Sequence, residues 1–121
     1  MIDIVVPTCN DNIGLKLLLW GMKQQTNDNF IIHIVDNALN YNAIDVVNEY
    51  INDFKILYYR TEQSNIAYRP SYTRNIGIKN CASDRIIFIN SDTIPDKTLV
   101  ESHMKYIDTT DIIVGSCRNI N

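Results

Sequence analysis

The sequence has no basic excess to spend on a polyanion. Eleven lysines and arginines stand against fourteen aspartates and glutamates in 121 residues, a net charge of -3. Nothing in that balance would displace the counterions condensed on a nucleic acid, so no nucleic-acid partner is expected. Cysteine is scarce: Cys9, Cys81 and Cys117 are odd in number, far apart and form no C-x-x-C pair. That leaves no zinc or redox motif, and a reduced, cytoplasmic chain is the simple expectation. Long apolar runs are missing as well. The longest are strand-length, and the N-terminus has no basic segment leading into an apolar one, so neither a signal peptide nor a spanning helix is expected. Repeats, low-complexity tracts and linkers are absent too. With 45% hydrophobic and 21% charged residues, the chain reads as one folded domain over residues 1–121.

Periodicity gives the order of elements. Ile2 to Val6 is a short apolar strand, and Pro7-Thr8-Cys9-Asn10 is the turn that follows it. Leu15, Leu18, Leu19 and Met22 fall at i, i+3, i+4 and i+7, the stripe of a first helix, with Lys16, Lys23 and Gln24 outside it. Phe30 to Val35 is continuously apolar except for His33, as a strand buried on both faces of a parallel sheet requires, and it stops at Asp36-Asn37. A helix is predicted over Ala43 to Ile51 and a strand over Lys55 to Tyr59. Pro70 suits the first turn of a helix running to about Asn80. A fourth strand at Arg85 to Ile89, a helix from Pro95 through Lys105 and a fifth strand at Asp111 to Val114 complete the pattern. Strict alternation of strand and helix predicts an α/β layered fold with a mainly parallel sheet. Ligands of such sheets bind at the carboxyl ends of the strands, where the strand order reverses. The strands ending in useful polar groups are the first (Thr8), the second (Asp36) and the fourth (Asp92).

Three segments, DIVVPTCN at 3–10, IIHIVDNALN at 31–40 and SYTRNIGIKNCASDRIIFINSDTIP at 71–95, carry the functional signal. The first is an apolar strand ending in Pro-Thr, and the second a strand ending in Asp-Asn. The third holds an Arg-Asn-x-Gly helix and a strand that runs into a D-x-D-like turn. In this order they resemble the nucleotide-sugar-binding half of family 2 glycosyltransferases of the GT-A fold, over the whole chain. The resemblance implies a Rossmann-like, mainly parallel sheet flanked by helices and truncated after about five strands. It also implies binding of a nucleoside-diphosphate sugar, a UDP-sugar before a GDP-sugar, with transfer of the sugar to an unidentified acceptor hydroxyl, inverting at the sugar carbon.

Residue by residue, the resemblance assigns Pro7, Thr8 and Asp36 to the base and ribose. The Asp36 carboxylate would accept a hydrogen bond from a ring N–H; equally, an aspartate there can cap its own turn. Arg74 would lie beside the nucleotide, where its planar fork can pair with phosphate or stack on a base. Gly77 lets its helix approach the sheet. Asn90, Ser91 and Asp92 would form the diphosphate end, with Asp92 holding Mn2+ or Mg2+. The family has two carboxylates at this turn and the present chain has Asn-Ser-Asp, so weaker metal affinity is expected. One carboxylate suffices where phosphate oxygens and water complete the shell. The competing role for Asp92 is to cap the helix after Pro95. His33 reads as a satisfied core histidine and His103 as a surface residue.

In the family, the region after the fifth strand supplies the acceptor site and a carboxylate general base. The chain stops at Asn121, so no catalytic base is named. The expectation is a small transferase or the donor domain of one, completed by a second copy or another chain, or else a module that binds a nucleotide sugar without transferring it. An unfinished sheet edge would favour self-association. A phosphoacceptor receiver domain, with the same alternation, would need an acidic pair after the first strand and a lysine after the last. Pro7-Thr8 and Gly115-Ser116 stand there instead.

Overall fold

The computed structural model of the chain describes residues 1–38, 42–61 and 69–119. Leu39 and Asn40, at the end of the second quoted segment, lie outside the described residues. Four parallel strands, β1 (Ile2–Thr8), β2 (Phe30–Asp36), β3 (Ile56–Arg60) and β4 (Ile86–Phe88), alternate with helices α1 (Asn12–Lys23), α2 (Ile44–Tyr50), α3 (Pro70–Lys79) and α4 (Leu99–Tyr106). The sheet order is β3-β2-β1-β4. The chain therefore winds outward from β1 through β3 and then returns to the other side of β1, which puts the switch point between β1 and β4. The α/β fold and its mainly parallel sheet agree with the sequence pattern.

Side chains alternate across β1, and each face meets a different layer. Ile2, Ile4 and Val6 join Leu15, Leu18, Leu19 and Met22 of α1, Val46, Val47 and Tyr50 of α2 and Val100 of α4 in the main core. Each fully buried aliphatic side chain here contributes roughly 1.5–3 kcal/mol. The charged groups on the rim of α1 add little: Lys16 pairs with Glu49 at 3.3 Å and Lys23 with Asp53 at 3.4 Å, largely in solvent. The opposite face, with Asp3, Val5, His33 and Val35, lies under α3. A Cβ at Gly77 would sit 2.5 Å from Val5 Cγ1 and 3.3 Å from Val35 Cγ2, so the helix rests on β1 at a distance only glycine permits. Gly77→Ala is expected to cost about 1–3 kcal/mol by overpacking in urea denaturation. A neutral result would show that α3 shifts freely on the sheet.

Two predicted elements differ from the structure. Asp111 to Val114 forms no strand: β4 pairs only with β1, and Ile112 and Val114 are 78% and 87% exposed. Apolar, β-prone sequence becomes a strand only against a partner edge. The last helix starts at Leu99 and not at Pro95. Pro95 is buried with its ring against Gly21. The next residues are committed to contacts with the end of α1: Gln25 Nε2 donates to the Asp96 carbonyl at 2.6 Å and Thr26 N–H to the Lys97 carbonyl at 2.9 Å. Asp96 also accepts from the Thr98 N–H at 2.9 Å and from its hydroxyl at 2.8 Å, closing a turn just ahead of the helix. Those bonds hold the Asp96 carboxyl below the ordinary carboxylate range.

Candidate functional site

At the carboxyl ends of β1 and β4 a cleft of about 310 Å3 opens, lined by Pro7, Cys9, Asp11, Pro70, Arg74, Asn90, Ser91 and Asp92. Three separated parts of the sequence build it. After Thr8 the chain turns through Asn10, whose φ of 54° is left-handed, a conformation asparagine tolerates better than most residues. Asp11 then caps α1, its Oδ1 accepting the Gly14 N–H at 3.1 Å. From α3, which Pro70 opens at the first turn, Arg74 reaches across and its Nη2 donates to Asn90 Oδ1 at 3.1 Å. Beyond β4, Ile89 N–H donates to the Val5 carbonyl at 3.2 Å. The chain then reverses through a turn closed by Thr93 N–H on the Asn90 carbonyl at 3.1 Å. Ser91 is buried and donates to Asp11 Oδ2 at 3.0 Å. That bond ties the first loop to the turn carrying Asp92.

Of the predicted site residues, Pro7, Arg74, Asn90, Ser91 and Asp92 line this cleft and Thr8 and Asp36 do not. Asp92 is exposed, and among the described residues its carboxylate accepts no hydrogen bond and forms no ion pair. It does not cap α4, because Asp96 occupies that turn. Thr8 is 1% exposed, and its hydroxyl is a buried polar atom without a partner among the described residues. Such an orphan costs stability unless a ligand or water meets it. Asp36, paired in register with Thr8, is 1% exposed. Its Oδ1 accepts the Ala38 N–H at 2.9 Å, and its Oδ2 accepts the Ala43 N–H at 2.8 Å and the Tyr58 hydroxyl. The carboxylate thus holds the turn after β2, and three of its roughly four acceptor positions are taken.

Sequence reading missed Cys9, Asp11 and Pro70 as lining residues. Asp11 had a legible signal, an aspartate just ahead of an apolar helical stripe. Cys9 had none. Its thiol donates to the Asn37 carbonyl at 3.6 Å, and burial, then the nearby Asp36 charge, push its pKa up.

A second polar cluster lies under α3, toward the amino end of β1. Ligand atoms of Asp3, His33 and Cys81 lie within 4.8 Å of one another. Every one is already satisfied: His33 Nε2 lies 2.7 Å from Asp3 Oδ1 and Nδ1 3.1 Å from the Tyr59 hydroxyl, Asp3 Oδ2 accepts the Ser83 N–H at 2.7 Å, and Cys81 Sγ meets the Gly77 carbonyl at 3.3 Å. His33 is the satisfied core histidine the sequence suggested. His103 is half-buried instead of on the surface, with Nδ1 2.8 Å from the Leu99 carbonyl. Burial, then the Asp3 charge, push the Cys81 thiol up from 9.0 to about 11. Alkylation of Cys81 by iodoacetamide at pH 8 is expected to run about 100-fold slower than that of a free cysteine in a peptide, since only the thiolate reacts. A near-peptide rate, read by mass spectrometry, would contradict this.

The profile of glycosyl transferase family 2 matches residues 3–121. The chain belongs to that family. Among relatives, a chondroitin synthase of Pasteurella multocida is 25% identical over 115 residues, covering 93% of this chain and 12% of the synthase. An uncharacterised glycosyltransferase of Haemophilus influenzae is 30% identical over 99 residues, 80% of this chain and 32% of its own length. The family 2 chain thus spans a third or less of these relatives. Among solved structures, S. aureus TarS 1-349 in complex with UDP-GlcNAc superposes with a TM-score of 0.78 at 21% identity, over 88% of this chain and 31% of that one. The mannosyltransferase PcManGT of Pyrobaculum calidifontis, in complex with GDP-Man and Mn2+, does so with a TM-score of 0.74 at 14% identity, over 88% and 32%. At such identities the likeness shows a shared fold. Among the described residues no helix is long and apolar enough to cross a membrane.

Proposed function

We propose that the cleft binds a nucleoside-diphosphate sugar, a UDP-sugar before a GDP-sugar, and that the chain carries the donor half of a sugar transfer to an acceptor hydroxyl with inversion. One observation carries this reading. Five residues singled out along separate segments, Pro7, Arg74, Asn90, Ser91 and Asp92, converge on one cleft at the switch point of the sheet. Its volume falls at the lower end of the range for small-molecule sites. The base end is assigned to Thr8, whose buried hydroxyl has no partner among the described residues, and to the remaining acceptor position of Asp36. Family membership and the ligands of TarS and PcManGT support the choice of substrate class.

The residues present fit a divalent cation. Asp92 offers a carboxylate with no protein partner among the described residues, hard oxygen donors suit Mn2+ or Mg2+, and Asn90 adds a neutral neighbour. Bound there, the metal would neutralise charge developing on the departing diphosphate. Asp92 is its ligand in this assignment, and Asp11 and Ser91 hold the turn that presents it.

A second reading, a binding module without turnover, is favoured by one feature of the same cleft. Among the described residues its only carboxylates are Asp11 and Asp92, and Asp11 is engaged by Gly14 and Ser91. With Asp92 given to the metal, no carboxylate among the described lining residues remains to deprotonate an acceptor hydroxyl. Calorimetric titration with UDP and GDP, with and without Mn2+, followed by assay of UDP-GlcNAc and GDP-Man hydrolysis or transfer, separates the readings. Binding without turnover selects the module, turnover selects the transferase, and no binding rejects both.

A cytoplasmic chain that pairs with a second copy belongs to the same proposal. Phe88 on β4 is 49% exposed and Ile112 and Val114, beyond α4, are 78% and 87% exposed, while β4 pairs on one side only, with β1; soluble proteins usually cover such apolar surface and strand edges. Light scattering at micromolar concentration is expected to give a dimer, and a monodisperse monomer would remove this part.

A further inference from the structure

We infer that Asp3, His33 and Cys81 form a Zn2+ site beneath α3, separate from the cleft and independent of the nucleotide-sugar reading. Beside Val5 and Val35, on the face of the sheet that α3 covers, stand Asp3 and His33, 0% and 1% exposed. A buried acid–imidazole pair is a poor source of stability, because desolvating it costs about what the pair returns. Neither group lines the cleft, so sugar transfer gives them no role.

The register makes the two neighbours. His33 is paired with Val5 and so lies diagonally from Asp3 across β1 and β2, and Cys81, just past the end of α3, brings its thiol to both. The three ligand atoms lie within 4.8 Å of one another. With bonds of about 2.0–2.3 Å, tetrahedral Zn2+ holds its donors about 3.3–3.6 Å apart. Shifts of about an ångström therefore close the set.

The hydrogen bonds of these groups divide into those a metal keeps and those it replaces. Ser83 N–H donates to Asp3 Oδ2 at 2.7 Å, and the Tyr59 hydroxyl lies 3.1 Å from His33 Nδ1. Tyr59 also stacks on the imidazole, ring centroids 5.9 Å apart. These contacts hold the far atoms of the carboxylate and the ring, as the outer shell of a metal site does. On the near side, the ring proton that Nε2 shares with Asp3 Oδ1, 2.7 Å away, moves to Nδ1, where the Tyr59 hydroxyl accepts it. The Cys81 thiol, which donates to the Gly77 carbonyl at 3.3 Å, releases its proton to solvent. Zn2+ then binds Nε2, Oδ1 and the thiolate. Burial and the Asp3 charge oppose a bare thiolate at Cys81, and a divalent cation inverts that local balance. One sulfur, one neutral imidazole and one carboxylate oxygen are a zinc set, whereas Mn2+ and Mg2+ take oxygen ligands. The fourth position opens to water on the side of half-buried Cys81. The ion ties the end of α3 to two strands of the sheet.

Co2+, a spectroscopic stand-in for Zn2+, tests this on the reduced full chain. A thiolate-to-cobalt absorption band is expected, removed by Zn2+ and untouched by Mg2+. Cys81→Ser should abolish the band and lower Zn2+ affinity in calorimetry on the order of 100-fold, and His33→Gln should lower that affinity similarly. Tyr59→Phe, which takes away only the partner of Nδ1, should cost on the order of 10-fold. Cys9→Ser, Cys117→Ser and Asp92→Ala should keep the band. Zn2+ should also raise the melting temperature of the native chain and leave that of Cys81→Ser in place; melts without metal show that each variant is folded. Absence of the band, a band that survives Cys81→Ser, or a Zn2+ affinity unmoved by both His33→Gln and Tyr59→Phe overturns the inference, and the reading of the cleft stands in each case.

Discussion

Replacing Asp92 with alanine is expected to abolish the Mn2+-dependent part of nucleotide binding, lowering Mn2+ affinity on the order of 100-fold, with folding stability within about 0.5 kcal/mol of the native chain. The two halves of this expectation have one origin. Asp92 is exposed and makes no hydrogen bond to any described residue, so removing its carboxylate orphans no donor among them. The turn that carries it is held by other groups: Thr93 N–H on the Asn90 carbonyl at 3.1 Å and Ser91 on Asp11 at 3.0 Å. A charge kept at the mouth of a cleft with no partner among the described residues is unusual for a residue whose purpose is capping. Calorimetry with Mn2+ and UDP, paired with urea denaturation, reads both halves. An unchanged Mn2+ response would remove the metal from Asp92, and a large loss of stability would mean the residue is structural after all.

Much of the architecture was legible because it rests on local rules. The stripe Leu15, Leu18, Leu19, Met22 reports a helix face, and these residues are buried on α1 as the period demands. The apolar run of β2, interrupted only by His33, reports burial on both faces, and Gly77 reports close approach of a helix to a strand. What was not legible depends on partners far along the chain. Asp111 to Val114 has strand-like composition, yet no edge pairs with it. Pro95 could have opened a helix and instead packs on Gly21 while the next residues bond to the end of α1. The site shows the same division. Residues at strand ends were found because strand ends are readable. The capping position of Asp11 was readable from the stripe that follows it, but its place in the cleft was not, because its bond to Ser91 spans 80 positions. For Asp36 the sequence allowed two roles, and the structure shows its carboxylate bonded within its own turn and to Tyr58.

That arrangement makes Asp36→Ala the costliest single substitution near the site, with an expected loss of about 3–5 kcal/mol in urea denaturation. The truncation removes the acceptor that the Ala38 and Ala43 N–H groups and the Tyr58 hydroxyl now share in a setting where Asp36 is 1% exposed, leaving Ala43 N–H only its 3.3 Å bond to the Tyr58 oxygen. Tyr58→Phe removes one donor and leaves the carboxylate two, so it should cost about 1 kcal/mol. A loss below about 1 kcal/mol for Asp36→Ala would show that water replaces the carboxylate and that the turn after β2 is held by other contacts. The same pairing sets an alkaline limit. Burial, then the hydrogen bond and charge of Asp36, push the Tyr58 phenol above its ordinary value of 10.0. A pKa raised on folding stabilises the native state fully below the unfolded value, and that contribution drains away as pH rises past it. Cys81, raised from 9.0 to about 11, acts with the same sign and begins one unit lower. Stability is therefore expected to fall as pH climbs from about 9, more steeply above about 10 as Tyr58 joins. In Tyr58→Phe the steeper part should be reduced, the remainder belonging to Tyr59, whose phenol burial also pushes up from 10.0, and a series of melts between neutral and alkaline pH reads the difference.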